Sequence, residues 1–246
     1  MPYLTDSLFA TALFSSVSDR RTDSKTMSSA TKAVAASSAM LADLISYQNG
    51  AYAERFARVV ETFAVAAQVI HAAPEREMTE LVVRNLHRIM SYKDEYEVAR
   101  LLTDRVFAER VKALFPGFEG MAYNLQPPFA RTFGLSRKVE MGTWFNMPLR
   151  LLAFMRRVRG SAFDPFLMNN VRREERDLVD WYINVVYRCS QSLSLSNMEA
   201  IIDLLNLPES IRGYEHLKLE SSTAARKKAT GLLSVLQRTT PSLVSV

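Results

Sequence analysis

The sequence predicts a mostly α-helical protein with one short extended insert. Three observations support this fold class: apolar residues recur at alternating spacings of three and four, only eight glycines interrupt 246 residues, and a helix-capping motif precedes an apolar run at residue 196. Residues 1–38 are rich in Ser, Thr and Ala without such a period, so we expect a low-complexity, mobile tail there. We expect the helical domain over residues 39–237, followed by a tail over 238–246.

Three helices are predicted in the first half of that domain. Their apolar stripes cover residues 53–70, 78–89 and 96–106, each with spacings that place the apolar side chains on one helix face. We expect Pro74 to close the first helix. The third helix is expected to run on toward Leu114, where Phe115-Pro116-Gly117 breaks the pattern.

Glycines and prolines interrupt the helical period around residues 117–142. Tyr123 and Leu125 alternate there as in a strand, which predicts a short extended or β-hairpin insert. Four further helices are then expected, over 144–159, from about 171 to 189, from a capping box at 196–199 to Pro208, and over about 217–236.

Charge and cysteine content exclude several classes of protein. Lys and Arg exceed Asp and Glu by 31 to 26, and the resulting net charge of +5 is too small to indicate nucleic-acid binding. The single cysteine, Cys189, excludes an intrachain disulfide, a zinc site built on several cysteines and an iron–sulfur cluster held wholly by this chain. Cys189 shares an apolar helix face with Trp181 and Val185, which favours a packed side chain over a catalytic thiol.

Neither a membrane span nor a secretory signal is predicted. The longest stretch without Asp, Glu, Lys or Arg covers residues 62–74, whereas a spanning helix needs about 20 residues. The apolar run at 8–14 follows Asp6 and lacks a positively charged leader. The expected location is therefore the cytoplasm.

Sequence motifs for catalysis are absent. The chain has no glycine-rich dinucleotide or P-loop motif, no G-x-S-x-G elbow and no H-E-x-x-H pair, and its three histidines are scattered. We therefore predict no catalytic residue and no metal ligand, and we expect the isolated chain to be inactive.

A dense charged segment opens the third predicted helix. It contains Lys93, Asp94, Glu95, Glu97 and Arg100. The helix dipole stabilises acidic groups in the first turn by up to about 1 kcal/mol each, and Glu97 can pair with Lys93 or Arg100 on the solvent face. General acid–base work or contact with a partner is the alternative role.

Seven arginines flank the turn between residues 160 and 166. They are Arg150, Arg156, Arg157, Arg159, Arg172, Arg173 and Arg176. If the turn folds its two flanking helices together, these guanidinium groups share one surface that suits a phosphorylated cofactor or an acidic protein such as a ferredoxin. The alternative is a solvated face with ion pairs to Glu174, Glu175 and Asp177. A nucleic-acid groove is disfavoured because few aromatic residues are interleaved.

The adjacent prolines Pro127 and Pro128 stiffen the insert, and Trp144 follows it. A rigid extended loop of this kind is either a binding edge or a structural crossover. The sequence leaves both roles open.

Ordered motifs run through the helical domain. They are Lys93-Asp94-Glu95-Tyr96-Glu97-Val98-Ala99-Arg100-Leu101, Leu125-x-Pro127-Pro128, Arg137-Lys138…Gly142-x-Trp144, Leu151-Leu152-Ala153…Arg159-Gly160…Asp164-Pro165-Phe166, and Leu207-Pro208…Ile211-Arg212-Gly213-Tyr214…Lys218. In this set and order, the chain resembles the C-terminal region of the large, fused indolepyruvate ferredoxin oxidoreductases over about residues 40–236. It departs from that family at Met141-Gly142-Thr143-Trp144, where a Phe-Gly-Pro-Trp type is expected, and at Tyr214-Glu215-His216, where Phe-Gly-His or Phe-Gly-Pro is usual.

The resemblance implies a place in such an assembly rather than the chemistry itself. Members of that family decarboxylate indolepyruvate and related aryl 2-oxo acids on thiamine diphosphate, pass the electrons through iron–sulfur clusters to ferredoxin, and form an acyl-coenzyme A. This chain lacks the G-D-G opening of a thiamine-diphosphate site and the cluster cysteines, so these cofactors are expected on the wider complex. The motif residues without an assigned role are Lys93, Asp94, Glu95, Glu97, Arg100, Pro127, Pro128, Trp144, Asp164 and Arg212.

Two functions follow as hypotheses. The leading one is a non-catalytic C-terminal module or subunit of an indolepyruvate ferredoxin oxidoreductase, with the catalytic chains as partners and ferredoxin as a further candidate partner. The alternative is a free-standing helical interaction module without enzyme activity.

Overall fold

The computed structural model describes residues 37–70, 74–115, 117, 120, 122–125, 139–213 and 216–239. The predicted tail over 1–38 lies outside these residues except for 37 and 38, which are helical. Pro127 and Pro128 also lie outside them, so the role of the proline loop stays a prediction.

The described chain is mostly α-helical, which confirms the predicted fold class. A helix over residues 37–47 (α1) comes first. The others are α2 (Gly50–Ala67), α3 (Pro74–Met90), α4 (Glu95–Leu102), α5 (Arg105–Leu114), α6 (Asn146–Phe154), α7 (Asn170–Ser192), α8 (Met198–Ser210) and α9 (His216–Thr239). Short 3₁₀ turns cover Gln68–Ile70, Thr143–Phe145 and Met155–Val158.

The helices belong to two compact units. The domain boundaries predicted at residues 39 and 237 stay a prediction. Unit 1 contains the described residues up to Tyr92 and from Pro165 onward, and unit 2 contains those of Lys93–Asp164. No helix in the described part of the chain is long and apolar enough to cross a membrane.

Unit 1 is a bundle in which amphipathic helices bury their apolar stripes against one another. Helix α2 packs on α3 and α7, and α8 packs on α3, α7 and α9. The stripes of α2 and α3 meet through Phe56, Phe63 and Met78, which are at most 1% exposed. Tyr182 of α7 is also fully buried, and its hydroxyl donates to the carbonyl oxygen of Leu205 at 2.9 Å. Burial of these apolar surfaces stabilises the unit.

Unit 2 has a much smaller core. Helix α4 packs on α6, and the cluster between them consists of Ala99, Tyr123, Leu149 and Ala153. Tyr123 lies on strand β1 (Tyr123–Leu125), which pairs antiparallel with β2 (Val139–Met141). This pairing confirms the extended insert that the alternation at residues 123 and 125 predicted.

The structure corrects two predicted helix boundaries before residue 116. Helix α2 ends at Ala67, and Pro74 begins α3 instead of closing α2. A proline fits the first position of a helix because that residue has no intrahelical N–H bond to lose. The third predicted helix is two helices, because Asp104 caps α5 by accepting a hydrogen bond from the Phe107 N–H at 3.0 Å.

The capping box at residues 196–199 is also corrected. Asn197, not Ser196, precedes α8, and its side chain makes no bond to the helix. Its Oδ1 accepts from the Ser194 N–H at 2.9 Å, and its Nδ2 donates to the Ser192 carbonyl at 2.5 Å. Asn197 therefore fixes the turn between α7 and α8, and α8 continues past Pro208 to Ser210.

Candidate functional site

Asp94 and Arg159 form a buried ion pair within unit 2. The Arg159 Nε donates to Asp94 Oδ2 at 2.5 Å and its Nη2 donates to Oδ1 at 2.9 Å, with both side chains 3% exposed. Asp94 is also the N-cap of α4, where its Oδ1 accepts from the Glu97 N–H at 2.9 Å. A bidentate pair with this extra hydrogen bond keeps both charges satisfied in a buried position.

Tyr96 and Asp164 extend this pair into a network. The Tyr96 hydroxyl donates to Asp164 Oδ1 at 2.8 Å, and the Gly160 N–H donates to Asp164 Oδ2 at 2.7 Å. The guanidinium carbon of Arg159 lies 5.4 Å from the centroid of the Tyr96 ring, within range of a cation–π contact. We call Asp94, Tyr96, Arg159 and Asp164 the buried network.

Protonation of Tyr96 matches its role as a donor. Burial first, and then its hydrogen bond to Asp164 and the charge of Asp164, raise the pKa of Tyr96 well above its ordinary value. The phenol therefore stays neutral over the physiological pH range.

Gly160 has a φ of +74°, a conformation that a glycine adopts without strain, and this turn brings its N–H to Asp164.

Glu97 and Arg100 pair next to this network, as their spacing predicted. Arg100 donates from Nε to Glu97 Oε2 at 2.8 Å and from Nη2 to Oε1 at 2.7 Å. The Glu97 side chain is only 8% exposed, so the pair does not lie on the solvent face. Two acids of the charged segment thus have local roles: Asp94 caps α4, and Glu97 binds an arginine. Lys93 is exposed, and Glu95 lies half-buried in the first turn of α4.

The seven predicted arginines have different surroundings. Arg159 is buried in the network, so the structure removes it from the predicted anion-binding surface. Arg156 is partly buried: its Nη1 donates to the Ala153 carbonyl at 3.2 Å, and its Nε has no hydrogen-bond partner among the described residues. Burial, followed by the charges of Arg157, Arg100 and Arg159, lowers the pKa of Arg156. Arg150 and Arg157 are exposed.

The other three arginines lie on α7, in unit 1. Arg172 donates to Glu175, Arg173 donates to the Asn170 side chain, and Arg176 donates to the Leu167 carbonyl. The predicted alternative of ion pairs with neighbouring acids therefore describes Arg172.

Glu175 is a buried carboxylate in unit 1, whereas the sequence predicted it only as an ion-pair partner on a solvated face. It is 5% exposed and accepts from Arg172 Nη1 at 2.5 Å and from Lys218 Nζ at 2.6 Å. A cavity of about 90 Å³ lies beside it. The lining combines charged and apolar residues: Arg88, Ile89, Tyr92, Glu175, Leu178, Pro208, Ile211 and Lys218.

The sequence pattern of α7 already indicates that Glu175 is buried. Residues 175, 178, 182, 185 and 189 follow the same three and four spacing on α7, and all five are buried. A carboxylate on the apolar stripe of a helix needs a cationic partner, since burial of an unpaired charge is costly. The hydrogen-bonding role of Tyr96 in the buried network was harder to predict from the sequence, because an aromatic residue on an apolar stripe is usually part of the core.

The remaining predicted residues have local roles. Cys189 is fully buried on α7, and burial raises its pKa to about 12, as expected for a packed thiol. Arg212 donates from Nε to the Glu209 carbonyl at 3.0 Å. Trp144 is 68% exposed. Within the described residues, no group of three or more His, Cys, Asp or Glu is arranged to hold a metal ion.

A family model described as "Family of unknown function (DUF6537)" matches residues 32–231, which include all of the sites described above. No curated protein and no solved structure matches the chain. Because the family model covers most of the 246 residues, the chain belongs to the DUF6537 family.

Proposed function

We propose that the chain is a non-catalytic C-terminal module or subunit of an indolepyruvate ferredoxin oxidoreductase. The buried network of Asp94, Tyr96, Arg159 and Asp164 supports this proposal, since all four residues belong to the motifs behind the resemblance. Polar groups that are buried and bonded to one another hold a fold together and are shielded from substrate. In this proposal the motifs preserve the shape of a module, and oxidative decarboxylation of aryl 2-oxo acids takes place on partner chains.

The single thiol is consistent with a module whose partner chains carry out the chemistry. Cys189 is buried, and its pKa of about 12 opposes the thiolate that a nucleophile or cluster ligand requires. Thiamine diphosphate, the iron–sulfur clusters and coenzyme A therefore belong to the partner chains in this proposal. The cytoplasm is the proposed location, where ferredoxin is the acceptor of electrons.

Co-expression tests the proposal. The full chain is produced together with the other chains of this enzyme from the same genome, including the chain that binds thiamine diphosphate. Indolepyruvate-dependent reduction of ferredoxin is then measured. We expect the chain to co-purify with them and to raise the rate or the lifetime of the complex, and we expect no turnover from the chain alone. Lack of association together with an unchanged rate would contradict the proposal.

A pair of variants separates the role of the buried network from that of surface charge. Arg159→Ala removes the guanidinium that binds Asp94, whereas Arg105→Ala removes an exposed guanidinium that pairs with Glu109 at 2.8 Å. We expect Arg159→Ala to weaken association because unit 2 loses its shape. Arg105→Ala should behave like the original chain.

A free-standing helical interaction module is the second candidate. The exposed apolar side chains of unit 2, such as Trp144 and Phe154 at 68% and 69%, favour it because such residues mark interaction surfaces. It predicts a gene that is not adjacent to those of the catalytic chains, and a purified chain that does not associate with them.

A further inference from the structure

The cavity beside the buried Glu175 lies within unit 1, where α3, α7, α8 and α9 meet. Its volume is about 90 Å³, and we call it the Glu175 cavity. The lining residues are Arg88, Ile89 and Tyr92 from α3 and its end, Glu175 and Leu178 from α7, and Pro208, Ile211 and Lys218 from the segment that runs from the end of α8 into α9. The ordered motif Leu207-Pro208…Lys218 therefore forms one wall of the cavity.

The lining is apolar inside and cationic toward solvent. Leu178 and Ile211 are 2% and 8% exposed and belong to one buried apolar cluster, against which Ile89 packs. Arg88 is exposed and Lys218 is half-buried, so the two cationic side chains lie at the mouth of the cavity. A ligand with an apolar body and one charged end matches this arrangement.

The charged groups at the mouth leave a positive excess. Both oxygens of Glu175 are engaged, Oε1 by Lys218 and Oε2 by Arg172, so this carboxylate is neutralised. The Lys218 ammonium has three N–H donors and uses one of them for Glu175. Arg88 makes no hydrogen bond or ion pair with another residue in the described part of the chain. Both cations therefore have donors available for an anion.

The volume of the cavity sets the size of the apolar body. A cavity of about 150 Å³ in another protein holds one benzene molecule, so this one has room for roughly three or four carbon atoms. An indole ring is larger than benzene, which excludes the substrate of the proposed complex. Water alone fits less well, because each buried water typically needs about three hydrogen bonds and the apolar walls supply none.

We propose that the Glu175 cavity binds a short-chain aliphatic carboxylate of about four or five carbon atoms. The alkyl chain lies against Ile89, Leu178 and Ile211, and the carboxylate accepts hydrogen bonds from Arg88 and Lys218. This site is independent of the proposed function, since it concerns binding by the isolated chain, and the co-expression result does not depend on it.

Titration of the isolated full chain with butyrate tests the proposal. The chain carries ¹³C-labelled Ile and Leu methyl groups, and the NMR shifts of Ile89, Leu178 and Ile211 report both the place of binding and the dissociation constant. Three other probes are compared with butyrate: n-butanol lacks the charge, octanoate is too long for the cavity, and inorganic phosphate lacks the alkyl chain.

Two variants separate the cationic mouth from the apolar interior. Arg88→Gln removes the exposed guanidinium and keeps a polar side chain, and Arg110→Gln is its control because it makes the same change at an exposed position of α5 in unit 2. Ile89→Phe places a larger side chain at the cavity wall. Circular dichroism confirms that each variant is folded.

We expect butyrate to shift the methyl signals of the lining residues with a dissociation constant of about 1 mM or lower, which is within reach of so small a ligand. The three other probes should bind more weakly. Arg88→Gln should weaken butyrate binding about tenfold or more and leave n-butanol binding unchanged, because only the carboxylate uses the guanidinium. Ile89→Phe should weaken the binding of both, and Arg110→Gln should match the original chain.

Several results would overturn the proposal. One is the absence of a saturable butyrate-dependent shift at Ile89, Leu178 and Ile211, and another is equal binding of butyrate by Arg88→Gln and the original chain. Phosphate that binds as tightly as butyrate would indicate a plain anion site without an alkyl pocket. If Ile89→Phe does not fold, Arg88→Gln, which changes an exposed side chain, decides the question.

Discussion

Arg159 and Asp94 stand 65 residues apart in the chain, yet they form a bidentate ion pair whose side chains are each 3% exposed. Asp94 directly precedes α4, and Arg159 directly follows the 3₁₀ segment Met155–Val158. The pair therefore joins the start of α4 to the turn after that segment. Because Asp94 also caps α4, a change at either residue affects the helix end and the turn together. Unit 2 has few buried apolar residues, so we expect its stability to depend strongly on this pair.

Replacement of one member of the pair should destabilise unit 2. Arg159→Ala leaves the Asp94 carboxylate buried without its cation, which typically costs about 3–5 kcal/mol. Asp94→Ala leaves the guanidinium unpaired and removes the cap, so its cost should be at least as large. Amide hydrogen exchange in α4 and α6 measures the loss of stability locally.

The double variant Asp94→Ala with Arg159→Ala is the informative comparison. It removes both charges, so it should cost less than the sum of the two single replacements. Arg105→Ala provides the surface control, because Arg105 and Glu109 are 91% and 60% exposed. Equal exchange rates in the original chain and in Arg159→Ala would show that the buried pair does not stabilise unit 2.

The raised pKa of Tyr96 predicts that the folded chain loses stability at alkaline pH. Its pKa in the folded chain is raised, first by burial and then by Asp164, above the value of about 10 in the unfolded chain. The folded state therefore holds this proton more tightly, and the stabilisation is complete below pH 10 and is lost as the pH rises above it. Urea unfolding at pH 8 and pH 11 should reveal this loss.

Tyr96→Phe should change both the stability near neutral pH and the steepness with which stability falls as the pH rises. It removes the hydrogen bond to the Asp164 carboxylate, at about 1.5–3 kcal/mol near neutral pH, and it removes one group whose ionisation opposes folding. The variant should therefore lose less stability between pH 8 and pH 11 than the original chain. Tyr187→Phe, at a position 37% exposed, is the matched control. A steeper loss in Tyr96→Phe than in the original chain would refute the assignment.

Periodicity predicted where the helices lie but not where they are interrupted. The apolar positions 96, 99, 102 and 106 keep their spacing across Thr103 and Asp104, although α4 ends at Leu102 and α5 begins at Arg105. The local signal was Asp104 as an N-cap, which competes with the continuous apolar stripe. Pro74 is ambiguous in the same way, since a proline both ends one helix and begins the next.

The site was harder to predict because its contacts are long-range. The sequence identified Asp94 and Arg159 in two separate motifs, but it grouped Arg159 with six other arginines by charge. Nothing in the local sequence distinguishes Arg159, which is buried, from Arg157, which is exposed. The difference arises from the turn at Gly160, which brings residues 159–164 to the start of α4.

Cys189 should report the opening of unit 1. At pH 8, a pKa of about 12 in place of 9.0 lowers the thiolate fraction by about a thousandfold, and burial blocks the reagent as well. We expect a thiol-reactive disulfide to modify the native chain very slowly and the urea-unfolded chain at once. Rapid modification of the native chain, with circular dichroism unchanged, would contradict the buried position of this thiol.

Two glycine-to-alanine substitutions should change stability in opposite directions. Gly213, in the Ile211-Arg212-Gly213 motif, has a φ of +99°, and a Cβ added there would lie 2.7 Å from Leu217 Cβ. Gly213→Ala should therefore cost about 1–3 kcal/mol. Gly231 lies within α9 with nothing within 4 Å of an added Cβ, so Gly231→Ala should stabilise the chain by about 0.5–1 kcal/mol. Urea unfolding of unit 1 measures both changes, and a stabilising Gly213→Ala would mean that the turn before α9 does not need its left-handed backbone.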